Sequence, residues 1–127
     1  MMKNSMNHSR NFDLQDRFIK YAARIIDLSE RLPQTKAGKH ISLQMLRSGT
    51  SIAANYGEAQ SAESRADFIH KLKVSLKELR ETEVWLKIIL ESKLIKSSLK
   101  LSPLLQETDE LVSILFKSID TAKKNDK

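Results

Sequence analysis

The chain has 127 residues, with 22 lysines and arginines against 16 aspartates and glutamates, a formal net charge of +6 and no cysteine. That length is one domain with room for a buried core. The missing cysteines exclude a disulfide framework, a cysteine-ligated zinc and a thiol nucleophile.

Three glycines and two prolines leave few turn formers, so an all-α protein with short connections is expected. The opening MMKNSMNHSRN has no apolar run of the signal-peptide kind, and no segment reaches the roughly 18 apolar residues of a membrane span. A cytoplasmic protein without a membrane partner is expected, with residues 1–11 as a disordered arm.

Leu14, Phe18, Tyr21, Ile25, Leu28 and Leu32 recur at alternating spacings of 4 and 3, the seam of an amphipathic helix over residues 13–32. Asp13 suits its N-cap, and Pro33 stops it. A second helix starts at a Thr35 cap and continues to Gln60. Ser64-Arg65-Ala66-Asp67 is a capping box with Asp in place of Glu, and opens a third helix reaching Ser92. Its core rows are Leu72, Leu79 and Leu86, flanked by Phe68, Leu76, Ile89 and Leu90. Residues 94–102 read as a linker. Ser102 as cap and Pro103 at the first position then start a last helix, whose face is Leu104, Leu111, Leu115 and Ile119 with Val112 and Phe116 alongside. Residues 123–127 form a basic tail. The sum over residues 12–122 is an up-down-up-down antiparallel four-helix bundle.

The second helix is anomalous. Between residues 41 and 60 it carries only two charges, Arg47 and Glu58, in a chain that is 30% charged. On a wheel of 100° per residue, Ile41, Met45, Ile52 and Tyr56 face the core, beside Ser48, Gly49 and Ala59. Leu43, Leu46, Thr50 and Ala54 occupy the far side, where lysine and glutamate belong, with Ala53 nearby. A helix neutral on nearly all sides is usually covered on nearly all sides. These residues are therefore candidates for a homo-oligomer interface. The plainer alternative is uncharged surface with scattered exposed leucines.

Arg47, Ser51, Asn55 and Glu58 form a polar stripe, and Lys71, Ser75, Glu78 and Thr82 form its counterpart on the third helix, with Trp85 at its end. Antiparallel packing would pair Arg47 with Glu78 and Lys71 with Glu58, and loss of Glu78 would then strand a buried guanidinium. This stripe holds no histidine, and each acid has a basic neighbour, so a structural network is expected instead of acid–base catalysis. A bundle di-metal site needs two Glu-x-x-His motifs, whereas this chain offers only Asp67-Phe68-Ile69-His70, with His8 and His40 elsewhere. No metal, cofactor or enzyme activity is expected.

Lys73, Lys77, Arg80 and Lys87 line the outward side of the third helix, followed by Lys93, Lys96 and Lys100. Such a row suits phosphate groups of RNA or DNA, although Glu81, Glu83 and Glu91 share the exterior and an ordinary solvated face remains the alternative. A ring of several copies would multiply a modest charge.

The residues Arg47-Ser48, Ser51-Ile52, Asn55, Glu58, Asp67-Phe68, Ser75-Leu76, Glu78-Leu79, Glu81-Thr82 and Trp85-Leu86, in this order and spacing, carry a resemblance. Over most of residues 12–120 the chain resembles the bacterial four-helix-bundle family whose founding members are encoded in intervening sequences of 23S rRNA genes. It departs at Gly57-Glu58-Ala59, where many members read Ala-Glu-Gly, which moves the expected end of the second helix. The resemblance implies a homopentamer without catalytic residues. A distantly similar branch, the accessory variability proteins of diversity-generating retroelements, forms basic pentameric barrels that bind nucleic acid and a reverse transcriptase. The expected function is a non-enzymatic oligomeric adaptor offering a basic surface to RNA or DNA, with room for a protein partner. The alternative is a protein-binding oligomeric scaffold with no nucleic-acid role.

Overall fold

A computed structural model describes residues 2–96 and 100–125, with side chains described from Leu14 onward. Four helices follow in order: α1 (Met2–Arg31), α2 (Lys36–Gln60), α3 (Arg65–Ser92) and α4 (Leu101–Lys124). The side chains of the expected arm at residues 1–11, His8 among them, and Lys127 of the tail lie outside the described set.

The α1 seam behaves as its spacing dictates, with Phe18, Tyr21, Ile25, Leu28 and Leu32 all buried. Ile41, Met45, Ile52 and Tyr56 of α2 meet it, and the Phe18 and Tyr56 rings pack edge-on at 5.1 Å. Leu72, Leu79, Leu86 and Ile89 of α3 and Leu104, Leu111, Leu115 and Ile119 of α4 complete one core. Two expectations fail at the margins of the seams. Leu90 is exposed, and Phe116 stays 57% exposed. Each sits next to a buried residue, Ile89 or Leu115, and 100° around the helix from it.

Start signals hold for two helices. Thr35 Oγ1 accepts from the Gly38 N–H at 3.1 Å, and Ser64 Oγ accepts from the Asp67 N–H at 3.0 Å. α4 differs from expectation. It begins at Leu101, not after a Ser102 cap, because Leu101 is drawn into the core. Pro103 then falls third in the first turn, where its missing N–H leaves no helical bond unmade. α3 ends on Lys93 in the left-handed region at φ 57°, and the Leu94 N–H reaches back to the Ile89 carbonyl at 3.3 Å, a Schellman closure. Despite the Gly57-Glu58-Ala59 departure, α2 runs unbroken to Gln60.

α2 lies between α1 and α3 and packs closely on both, whereas α1 and α4 meet over a short length. They are joined where the Tyr21 hydroxyl shares a 2.6 Å hydrogen bond with Thr108 and Arg17 bonds Glu107 at 2.7 Å.

At Gly49 the backbone of α2 packs tightly on α1. A β-carbon there would lie 2.8 Å from Ile25 Cγ2, close to the branch point of a buried, stiff side chain. At Gly57 the same atom would meet nothing nearer than Gln15 Oε1 at 3.7 Å. Gly49→Ala is therefore expected to destabilise by about 1–3 kcal/mol despite better helix propensity, and Gly57→Ala to stabilise by up to about 1 kcal/mol. Urea midpoints of the two variants moving in the same direction would contradict this packing.

Candidate functional site

The expected polar seam between α2 and α3 forms. Arg47 Nη1 donates to Glu78 at 3.1 Å, and Lys71 Nζ donates to Glu58 at 2.6 Å. Below them the chain buries a smaller set: Ser48 and Thr82 hydroxyls share a 2.7 Å bond, and Ser75 Oγ donates to the Ile52 carbonyl at 3.0 Å. Ser51 and Asn55 turn back onto their own helix, bonding the carbonyls of Arg47 and Ser51. They do not cross to α3.

The depth of the seam differs from expectation. The Arg47 side chain is 50% exposed, so solvent screens it and loss of Glu78 strands no buried charge. Arg47 also reaches Glu81, so this carboxylate is part of the seam and not only of the solvated exterior. Glu81 in turn accepts from Trp85 Nε1 at 3.1 Å, and the His40 ring meets the Trp85 ring edge-on at 5.9 Å. Partial burial pushes the Glu81 carboxyl up, but the hydrogen bonds from Trp85 and Arg47 outweigh it and hold its pKa below the usual value. Elsewhere, burial pushes the Tyr21 phenol well above its ordinary range. Among the described residues, no group of three histidine, aspartate or glutamate side chains comes together as a metal site.

The basic row separates into two parts. Lys73, Lys77, Arg80 and Lys87 are exposed along one side of α3, with exposed Val84 in their midst. Lys87 stands 3.9 Å from Glu83 one turn earlier, while Lys73, Lys77 and Arg80 have no carboxylate in ion-pair reach among the described residues. Lys93 serves as the C-cap of α3, Lys96 is exposed beyond it, and Lys100 turns to α1, where its Nζ lies 3.7 Å from Asp27. Phe116 belongs beside the α3 row. Glu107 points to α1, and Phe116, nine residues on, is half a turn around α4 from it, hence on the α3 flank.

The neutral side of α2 is open. Leu43 is 66% exposed and Ala54 is exposed, with Leu46, Thr50 and Ala53 partly buried. Sequence reading missed its continuation on α1. Gln15 Nε2 bonds the Ala53 carbonyl at 3.2 Å and Ser42 Oγ bonds the Ser29 carbonyl at 3.0 Å, so that flank of α1 lies against α2. Ile19 and Ile26, one turn from Gln15 and Ser29, share the flank and are 52% and 44% exposed. The antiparallel register brings Ile26 level with Leu43 and Leu46, and Ile19 level with Thr50. The signal was legible: two isoleucines seven residues apart, off the core seam.

These features define an all-α four-helix bundle with a polar α2–α3 seam, a basic α3 side and a neutral α1–α2 face. The 23S rRNA-intervening sequence protein family model matches residues 10–117, and the chain belongs to that family. A crystal structure of a protein of unknown function from the S23 ribosomal protein family of Bacteroides thetaiotaomicron superposes with a TM-score of 0.77 at 38% identity, covering 84% of this chain and 97% of that one. No curated protein matches. Among the described residues, no helix is long and apolar enough to cross a membrane.

The Glu81 contacts make a pH test. Because the folded state holds this carboxyl's proton less tightly than the unfolded chain, the contact favours folding above about pH 4.5 and its contribution fades as pH falls below that. Followed by fluorescence of Trp85, the urea midpoint is expected to drop more from about pH 5.5 to about pH 3.5 in the natural protein than in Glu81→Gln. Equal drops would show that Glu81 gains nothing from Trp85 and Arg47.

Proposed function

We propose that the protein is a non-enzymatic, self-associating adaptor that presents the basic side of α3 to RNA or DNA. The observation behind this reading is the row of Lys73, Lys77 and Arg80, exposed on one helix side without carboxylate partners among the described residues. Arg17, Arg47 and Lys71, by contrast, are engaged in ion pairs across helix boundaries. Unpaired cations in a line match a phosphate backbone, and the exposed Phe116 on the neighbouring flank offers a face for a stacked base. Self-association through Leu43, Leu46, Ile19 and Ile26 would repeat the row around a ring, five times in the pentamer that the family likeness implies.

A second reading has one observation in its favour. Exposed Val84 interrupts the row and exposed Ile88 follows one turn later, which suits a protein partner better than a polyanion. Salt separates the two. With three or four phosphates neutralised per subunit, affinity for a generic single-stranded RNA is expected to fall with salt at a logarithmic slope of about −2 to −3. Lys77→Glu with Arg80→Glu should weaken binding severalfold and flatten the slope by about 1 or more. Fluorescence anisotropy across a salt series measures both. Absence of binding at low salt, or a slope unchanged in the double variant, would contradict the adaptor reading.

A further inference from the structure

A cavity of about 730 Å³ lies between the C-terminal half of α1 and the first turn of α4. That volume falls within the range of small-molecule sites. Its floor is apolar: Leu28, Leu101 and Leu104 line it and are nearly inaccessible themselves. Ala23 and Pro103 supply walls without polar side chains. Its mouth is cationic, with Arg24, Arg31 and Lys100 around the single acid Asp27. Asp27 accepts from Arg31 Nε at 3.2 Å and stands 3.7 Å from Lys100 Nζ, so it steadies two cations without cancelling three. Arg24 has no carboxylate in reach among the described residues.

We propose that this groove binds an anionic amphiphile, a small molecule with a carboxylate or phosphate head at the Arg24–Arg31–Lys100 mouth and an acyl or aryl body on the leucine floor. The charge arrangement selects the head. A cationic ligand would meet an excess of two positive charges, and a neutral one would leave the cations with no new partner. The apolar lining selects the body, since a bare phosphate or a nucleic-acid backbone gains nothing from the accessible Ala23, Ile95 and Pro103 or from the leucines behind them. The site is separate from the α3 row and does not depend on the adaptor reading. Lys100, adjacent in sequence to the lysines after α3, belongs to this mouth.

The probe is dodecanoate below its micellar concentration, titrated into the full-length protein and followed by leucine and isoleucine methyl NMR. Dodecyltrimethylammonium supplies the same tail with opposite charge, and acetate the head without a tail. Saturable dodecanoate binding is expected, with shifts at Leu28, Leu101 and Leu104, roughly tenfold weaker binding of dodecyltrimethylammonium and none of acetate. Arg24→Glu should weaken dodecanoate by roughly tenfold, and Ala23→Trp, which fills the groove without removing a core side chain, should weaken both tailed probes. The proposal is overturned by the absence of saturable binding, by equal affinity for the two tailed probes, by shifts confined to the α1–α2 face, or by an unchanged affinity in both variants. Light scattering during the titration separates the remaining occupant. A mass change without shifts at the groove leucines would assign the groove to a second copy of the chain and also overturn the proposal.

Discussion

The backbone of α2 passes so close to Ile25 of α1 that residue 49 has no room for a β-carbon. Much of the arrangement follows from that approach. With α1 drawn tight on one flank and Ser48 bonded to Thr82 on the other, α2 is fixed between two neighbours. Its flank toward α3 has to satisfy polar groups, and does so with Arg47–Glu78, Lys71–Glu58 and the buried hydroxyls. Its side away from the core merges with Ile19 and Ile26 of α1 into one neutral surface. That surface belongs to two helices, so it is broader than α2 alone would suggest.

The +6 charge is distributed by the same logic. Arginines and lysines at helix boundaries pair across them, as Arg17 does with Glu107 and Glu110. Among the cations with no ion pair among the described residues, Lys73, Lys77 and Arg80 line the outer side of α3 and Arg24 stands at the mouth of the α1–α4 groove. Charge of one sign concentrated over a line of helix and charge set around an apolar hollow are different recognition surfaces. The first suits an extended polyanion, the second a compact amphiphile.

Helix positions and seams were legible because leucines at 4 and 3 spacing leave little freedom, and Thr35 and Ser64 announce their helices. Both cross-helix ion pairs followed from one assumption, antiparallel packing. Burial depth did not follow. A wheel gives direction but no distance to solvent, so Arg47 looked buried when it is half exposed. Lys100 reads in sequence as part of one lysine series, yet its Nζ lies 3.7 Å from Asp27 of α1. Ser102-Pro103 imitated a helix start, but burial of Leu101 set the boundary instead. Ile19 and Ile26 gained meaning only when Gln15 and Ser29 showed which flank of α1 lies on α2.

The proposed self-association would cover the neutral α1–α2 face with other copies of the chain. Light scattering of the purified protein, beside Ile26→Glu and Leu46→Glu variants, decides whether it does. A pentamer built on this face gives a natural protein near five times 14.5 kDa and variants that fall to 14.5 kDa while keeping their helical circular dichroism. A natural protein already at 14.5 kDa, or variants that remain assembled, would show that this face is ordinary uncharged surface.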